Sequence, residues 1–117
     1  MKLTVAQALA ALAKHRRAFA KPCHEADFTG LFRHGTLEIE IFQPQEVDLQ
    51  QPHDKDELYF IATGSGFFEH GGERQAVEPG DLLFVAAGER HRFVEFTADF
   101  FILQPVDPSR LGGSKHR

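Results

Sequence analysis

The hydrophobic and polar positions of this chain follow a helical period at the start and a strand period afterwards. Three leucines recur at near-helical spacing at the start of the chain, Leu3, Leu9 and Leu12. Thr4 and Gln7 fit a capping box, in which each side chain binds the other's free backbone N–H. We predict an amphipathic helix over about residues 5–17, in an N-terminal segment, residues 1–20, that packs on the rest of the chain. A cleaved signal peptide is the alternative, but Thr4 and Gln7 interrupt its apolar run.

Residues 27–106 carry the signals of strands. Thr36–Ile41 alternates strictly, which predicts a half-buried strand with leucine and isoleucines on one side and glutamates on the other. Residues 81–86 are predicted to form a strand of the fully apolar type. Other strand-like runs, closed by glycine or proline turns, cover residues 57–63, 67–70, 73–77, 91–96 and 99–104. Short, evenly spaced strands without helical crossovers predict an all-β sandwich or barrel. The polar tail, residues 107–117, is expected to be flexible.

Length, charge and cysteine content narrow the classes of function. A chain of 117 residues suits one domain, and its net charge of −4 argues against nucleic acid as a partner. No run approaches the roughly 20 apolar residues that span a bilayer, so we expect no membrane segment. The single cysteine, Cys23, excludes an intrachain disulfide and favours a reducing, cytoplasmic location.

The stretch Gln51–Glu57 and the later His91 contain the candidate chemistry. On an extended strand Gln51, His53 and Glu57 share one face because side chains alternate. Two imidazoles and a carboxylate suit a divalent transition metal, Fe, Zn, Ni or Mn, and leave coordination positions open for a substrate. His53, Glu57 and His91 are therefore the candidate metal ligands. Gln51 offers only a neutral oxygen and is a doubtful fourth ligand.

These residues resemble the two sequence motifs of the cupins. Gln51-x-His53-x3-Glu57-x6-Gly64 resembles the first, and Gly80-x5-Ala86-x-Gly88-x2-His91-x3-Glu95 resembles the second. The resemblance implies a double-stranded β-helix, or jelly-roll barrel, with the metal inside and a homodimer as a frequent assembly. It places His53, Glu57 and His91 at the positions of the family's ligands. Gln51 replaces a histidine ligand, Ala86 a proline and Glu95 an asparagine.

Three functions remain open at this point. The first is a metal-dependent enzyme acting on a small organic acid, sugar or aromatic, by dioxygenase, isomerase or epimerase, or lyase chemistry. In that enzyme Glu57 would ligate or move a proton, Tyr59 would line the cavity, and Glu95 would lie beside His91 as an acid or base. The second is a non-catalytic module that binds or senses a small ligand. The third is a structural remnant in which Glu57 pairs with an arginine such as Arg90 or Arg92.

Two phenylalanine pairs bear on the oligomeric state. Phe67-Phe68 and Phe100-Phe101 place aromatic side chains on both faces of their strands. One face can fill the barrel, and the other needs a helix or a second chain to cover it. The sequence therefore predicts a homodimer.

Overall fold

The computed structural model of the chain describes residues 1–18, 28–44 and 55–106. One helix, α1, is followed by eight strands in these residues. Their bounds are α1 Val5–Ala18, β1 Phe28–His34, β2 Leu37–Phe42, β3 Glu57–Thr63, β4 Gly66–His70, β5 Glu73–Val77, β6 Leu82–Val85, β7 His91–Val94 and β8 Phe101–Val106. The predicted tail, residues 107–117, lies outside the described residues.

The strands form two antiparallel sheets with a shared core. Five strands have the order β1-β2-β8-β3-β6, and three have the order β5-β4-β7. Both sheets contribute to one buried cluster, which includes Phe42 and Ile61 from the larger sheet and Phe68 and Phe93 from the smaller one. This arrangement confirms the predicted all-β jelly-roll fold with a short N-terminal helix.

Helix α1 covers part of the outer face of the five-stranded sheet. Its N-terminus has the predicted capping box, with Thr4 N donating to Gln7 Oε1 at 2.8 Å and Gln7 N donating to Thr4 Oγ1 at 3.1 Å. Ala8 and Leu12 are buried against Ile41 of β2 in a second apolar cluster. Of the described residues, none belongs to a helix with the length and apolar character needed to cross a membrane.

Strand β2 has the predicted alternation but the opposite orientation. Ile41 lies under α1 on the outer face, whereas Phe42 belongs to the core between the sheets. Glu40 shares the face of Phe42 and is 4% exposed, so a glutamate points into the barrel. The prediction that the glutamates face away from the core was therefore wrong. Alternation shows which residues share a face, and the helix makes the outer face apolar as well.

The outer face of β3 and β6 has no such cover from α1. Phe84 and Leu82 of β6 are 57% and 65% exposed, and Leu58 and Phe60 stand opposite them on β3. The strand predicted over residues 81–86 is present as β6, but of its apolar side chains only Val85 is fully buried. We call Leu58, Phe60, Leu82 and Phe84 the bare apolar face.

The glycine at the end of the first motif is required by close packing. Gly64 follows β3 with φ of 78°. A Cβ atom there would lie 2.6 Å from Phe100 Cα and 2.7 Å from Asp99 O. Both contacts are to backbone, which cannot move aside as a flexible side chain would. Any larger residue would therefore push apart the segment before β8 and the end of β3, which carries the candidate site residues.

Candidate functional site

Three predicted site residues meet inside the barrel. Glu57 and Tyr59 lie two positions apart on β3 and therefore on one face, and His91 begins β7 in the opposite sheet. The Tyr59 hydroxyl is 2.9 Å from His91 Nε2 and 3.1 Å from Glu57 Oε1. His91 Nε2 is 3.4 Å from Glu57 Oε1. The His91 side chain is 1% exposed and that of Glu57 16%, so the contact is almost dry.

The hydrogen bonds of His91 determine which of its nitrogens faces the other two side chains. Nδ1 lies 3.1 Å from the backbone oxygen of Glu89. A carbonyl oxygen only accepts, so Nδ1 donates and a neutral imidazole presents its Nε2 lone pair to Tyr59 and Glu57. The Tyr59 hydroxyl can donate its one hydrogen to only one of these two acceptors at a time. A neutral imidazole nitrogen and a carboxylate oxygen that face each other in this way are ligand types that a divalent transition metal binds.

The turn before β7 is closed by a bond that a proline could not form. Ala86 stands where the cupin motif has proline, and its backbone N–H donates to Glu89 Oε1 at 2.9 Å. Gly88 completes the turn with φ of 82°. The same residue whose carbonyl receives His91 Nδ1–H thus closes the turn with its side chain. Alanine at this position therefore supplies a backbone donor that proline lacks.

Glu89 also contacts a second histidine near the site. His70 stands opposite His91 in the pairing of β4 with β7, and its Nε2 lies 2.9 Å from Glu89 Oε1. The hydrogen bond from His70, followed by that from the Ala86 backbone, lowers the pKa of the Glu89 carboxyl below its usual value. No spacing rule predicts this contact, because His70 ends β4 and Glu89 lies 19 positions later, in the turn before β7.

Two of the predicted metal ligands cannot be placed. Gln51 and His53 lie outside the described residues, so the structure tests neither of them. Among residues 1–18, 28–44 and 55–106, no three histidine, cysteine, aspartate or glutamate side chains form a group that could hold a metal ion. Glu57 and His91 alone form the described part of the predicted ligand set.

Glu95 does not lie beside His91 as strand alternation predicted. Strand β7 ends at Val94, and Glu95 has a φ of 50°, which turns the chain out of the extended conformation. Its side chain is 68% exposed and forms an ion pair with Arg74. The hydrogen bond with Glu95 raises the pKa of Arg74 further above its usual value. The expectation that Glu95 shares the face of His91 was therefore wrong.

The structural-remnant hypothesis expected Glu57 to pair with Arg90 or Arg92, and neither arginine is its partner. Arg92 donates from Nε to Glu69 Oε1 at 2.7 Å on the outer face of the smaller sheet. Arg90 is exposed. Glu57 instead contacts Tyr59 and His91.

Two buried polar residues were missed by sequence reasoning. Glu40 of β2 and Gln104 of β8 are 4% and 3% exposed. They are paired across the two strands, and Gln104 Nε2 donates to Glu40 Oε1 at 3.0 Å. Their sequence signal was only the alternation of β2, whose orientation was predicted the wrong way round. We call the inner side chains of Glu40, Gln104, Tyr59, Glu57 and His91 the polar level of the barrel.

Comparison with known proteins identifies the class to which this fold and site belong. A model of the cupin domain matches residues 38–99, which is more than half of the chain. The chain therefore belongs to the cupin family. That match includes Glu57, Tyr59 and His91.

Individual relatives are more distant. An uncharacterized protein of Streptomyces coelicolor is 34% identical over 61 residues, which cover 52% of this chain and 58% of the relative. Acireductone dioxygenase 1 of Coprinopsis cinerea is 43% identical over 47 residues, 35% of this chain and 26% of the relative. Both matches thus span less than two thirds of the relative. The structure of KdgF from Halomonas sp. is similar with a TM-score of 0.59 and 19% identity, covering 69% of this chain and 76% of that one, and it supports the fold.

Proposed function

We propose that this chain is a metal-dependent cupin enzyme that acts on a small molecule inside the barrel. The observation that carries the proposal is the contact of Tyr59, Glu57 and His91, with His91 held so that Nε2 faces the carboxylate. Glu57 and His91, with His53, would hold a divalent transition metal, Fe, Zn, Ni or Mn, and Gln51 is a doubtful fourth ligand. Such a metal supplies Lewis acidity or binds oxygen.

The described residues would position the substrate and move protons. Glu57 would accept a proton from a bound ligand or return one to it, and the Tyr59 hydroxyl can pass a hydrogen between Glu57 and His91 because it lies within 3.1 Å of both. The buried phenylalanines beneath Tyr59 exclude water. The distant likeness to an acireductone dioxygenase supports oxygenase chemistry. Isomerase or epimerase and lyase chemistry on an acid, sugar or aromatic are alternatives for the same site. Glu95 is exposed, pairs with Arg74 and takes no part in this group.

A non-catalytic ligand-binding or sensing module is the second candidate. One observation favours it: the Tyr59 hydroxyl lies within hydrogen-bond distance of both Glu57 and His91, so these two groups are partnered without a metal. In this function the polar level would bind a small ligand directly. Metal would then be absent from the purified protein or irrelevant to ligand binding.

Elemental analysis of the untagged protein tests the metal proposal. We expect about one equivalent of metal on the wild-type chain, and loss of that metal from a His53→Ala, His91→Ala double variant. His34 is exposed at the end of β1, so His34→Ala removes a histidine outside the site and should keep the metal. Wild-type protein that is purified without metal and takes up no added Fe, Ni, Zn or Mn would refute the proposal. Product formation or oxygen uptake then separates the enzyme from the binding module.

We further propose that the chain forms a homodimer in the cytoplasm, through the bare apolar face. The phenylalanines first considered for this role have partners in their own chain, since Arg16 lies 5.5 Å from the Phe101 ring centroid and Arg74 lies 4.7 Å from that of Phe67. The four large side chains of the bare apolar face are each at least 38% exposed. Light scattering of the wild type and a Phe84→Glu variant tests the dimer. A wild-type monomer at low micromolar concentration would contradict it.

A further inference from the structure

A four-residue turn, residues 86–89, connects β6 to β7 and ends two residues before His91. The Glu89 N–H donates to the Ala86 carbonyl at 3.1 Å, and the Ala86 N–H donates to Glu89 Oε1 at 2.9 Å, so the two ends of the turn bind each other. The Glu89 carbonyl lies 3.1 Å from His91 Nδ1. The position of this turn therefore affects the position of the His91 ring. We call residues 86–89 the histidine turn.

On one side the histidine turn is bound by the residue that precedes Glu57. The Ala87 N–H donates to Asp56 Oδ1 at 2.9 Å. Glu57 follows Asp56 directly and begins β3, so a shift of the turn relative to Asp56 also changes the separation of Glu57 from His91. That separation is 3.4 Å between Glu57 Oε1 and His91 Nε2. The bond from Ala87 thus links the two chain segments that carry the described candidate ligands.

On the other side the histidine turn is bound by a side chain of the smaller sheet. His70 Nε2 lies 2.9 Å from Glu89 Oε1, and an ionised carboxylate only accepts, so Nε2 donates. His70 also stands directly opposite His91 in the pairing of β4 with β7. Phe68 contacts both imidazoles, with its ring centroid 5.8 Å from that of His70 and 6.1 Å from that of His91. His70 therefore lies beside His91, and its bond to Glu89 holds the turn there.

The stability of the fold does not explain these contacts. None of the four residues of the histidine turn is fully buried. The bonds of the turn with Asp56 and His70 are solvent-exposed, and exposed polar contacts contribute little because water binds the same groups. Three side-chain hydrogen bonds nevertheless meet at this short turn. Because the turn leads directly into His91, positioning of that ring explains them better than stability does.

We propose that Asp56 and His70 are positioning residues, which hold the histidine turn from both sides and so place Glu57 and His91 for a divalent metal before it binds. This inference rests on the proposed function, because it takes Glu57 and His91 as metal ligands. Asp56 and His70 act through the turn and do not themselves bind the metal. Side chains that orient metal ligands commonly change metal affinity by about 10- to 100-fold when they are removed.

The imidazole of His91 in metal-free protein reports on this positioning. In the wild type we expect the ¹⁵N signals of one neutral tautomer, with the hydrogen on Nδ1. Asp56→Ala and His70→Ala each remove one of the bonds that hold the turn, and in each variant we expect a mixture of tautomers. Asp56→Asn retains an acceptor oxygen and His70→Gln retains a side-chain N–H donor. These two conservative variants should therefore restore the single tautomer.

Metal affinity provides a second measurement. Calorimetric titration with Zn²⁺ should show a Kd raised about tenfold in Asp56→Ala and in His70→Ala, and a Kd close to that of the wild type in the conservative variants. Asp81→Ala is the matched control, because Asp81 Oδ2 accepts the Glu78 N–H at 2.9 Å in the exposed turn between β5 and β6. It removes a bond of the same kind as that of Asp56. It should change neither the His91 signals nor the Kd.

The outcomes are separable from those of the metal assay. A His91 spectrum like that of the wild type in both alanine variants would overturn the inference. An equal change in Asp81→Ala, or a mixture of tautomers that persists in the conservative variants, would also overturn it. A chain that takes up no metal refutes the proposed function, but the metal-free spectrum still decides whether Asp56 and His70 position the ring.

Hydrogen exchange on the wild type decides the question if an alanine variant fails to fold. The amides of Ala86 and Ala87 should be protected from exchange although their turn is exposed, because both donate to carboxylates. Rapid exchange at both amides would mean that the turn is not held, and the inference would then be wrong.

Discussion

The aromatic core, which contains Phe42, Phe68 and Phe93, and the polar level share strands β2 and β7, but different interactions stabilise them. In the apolar part, Phe68 and Phe93 pack with ring centroids 4.9 Å apart, and stability comes from burial. In the polar level, buried groups are matched by hydrogen bonds, such as those of the Tyr59 hydroxyl. Tyr59 belongs to both, since its ring contacts Phe93 at 5.3 Å while its hydroxyl contacts His91. Packing of the Tyr59 ring in the aromatic core therefore determines where its hydroxyl meets the polar groups.

The largest expected effect on stability comes from a substitution in the aromatic core. Phe93→Ala should lower the free energy of unfolding by about 3–5 kcal/mol, because it removes a fully buried ring and leaves a cavity. Phe84→Ala removes the same side chain from the bare apolar face and should change it by less than about 0.5 kcal/mol in the monomer. Chemical denaturation at low protein concentration measures both. Equal effects would mean that the two phenylalanines are equally buried.

A smaller effect on stability is expected at Tyr59, which lies between the aromatic core and the polar level. Tyr59→Phe keeps the ring and removes the hydroxyl that contacts Glu57 and His91. The metal-free variant should be less stable by about 1–3 kcal/mol, since buried acceptors lose a partner. Saturating Zn²⁺ should reduce this difference, because the metal then satisfies the same two groups. A difference that stays the same with Zn²⁺ would indicate that the metal does not bind between Glu57 and His91.

Next to the polar level, a change in the turn before His91 should alter the tautomer of its imidazole more than the stability of the fold. Glu89→Ala removes the side-chain bonds to the Ala86 N–H and to His70 but keeps the carbonyl that receives His91 Nδ1–H. We expect the ¹⁵N signals of His91 to report a mixture of tautomers and metal to bind more weakly. Glu89→Gln retains an acceptor oxygen and should restore a single tautomer. An unchanged His91 spectrum in Glu89→Ala would show that the side chain does not position the ring.

The smallest effect concerns pH. The hydrogen bond from His70 lowers the pKa of Glu89 in the folded protein, so the ionised carboxyl stabilises the fold. This contribution is present above the ordinary pKa of a glutamate and is lost as the pH falls through the lowered value. NMR titration of the Glu89 carboxyl should show the lowered pKa in the wild type and a rise toward the ordinary value in His70→Ala. The same midpoint in both proteins would contradict the contact.

Some features of the molecule were predictable from the sequence and others were not. Capping by Thr4 and Gln7 is local, so four residues suffice to predict it. The jelly-roll fold and the proximity of Glu57 to His91 could also be predicted from the sequence, because two motifs with fixed spacing place both residues at known positions of a known fold. Strand β1 was not singled out, since Gly30 and polar residues interrupt its apolar pattern.

The errors have a common physical origin in what surrounds a strand. The orientation of β2 depends on α1, which makes the outer face of the sheet apolar and leaves Glu40 inside. The position of Glu95 depends on one backbone angle, φ of 50°, which strand alternation does not contain. Contacts such as those of His70 with Glu89 and of Gln104 with Glu40 join distant segments, and no spacing rule predicts them.

The Tyr59 hydroxyl has a consequence for metal selection. Under the proposed function a metal must exchange with this hydroxyl, which acts as an internal competitor bound within 3.1 Å of both Glu57 and His91. Each 1.4 kcal/mol of that competition lowers every apparent metal affinity about tenfold. The ranking among metals is unchanged, but weakly bound ions are displaced first. Because of Tyr59, only metals with a high intrinsic affinity for Glu57 and His91 would remain bound.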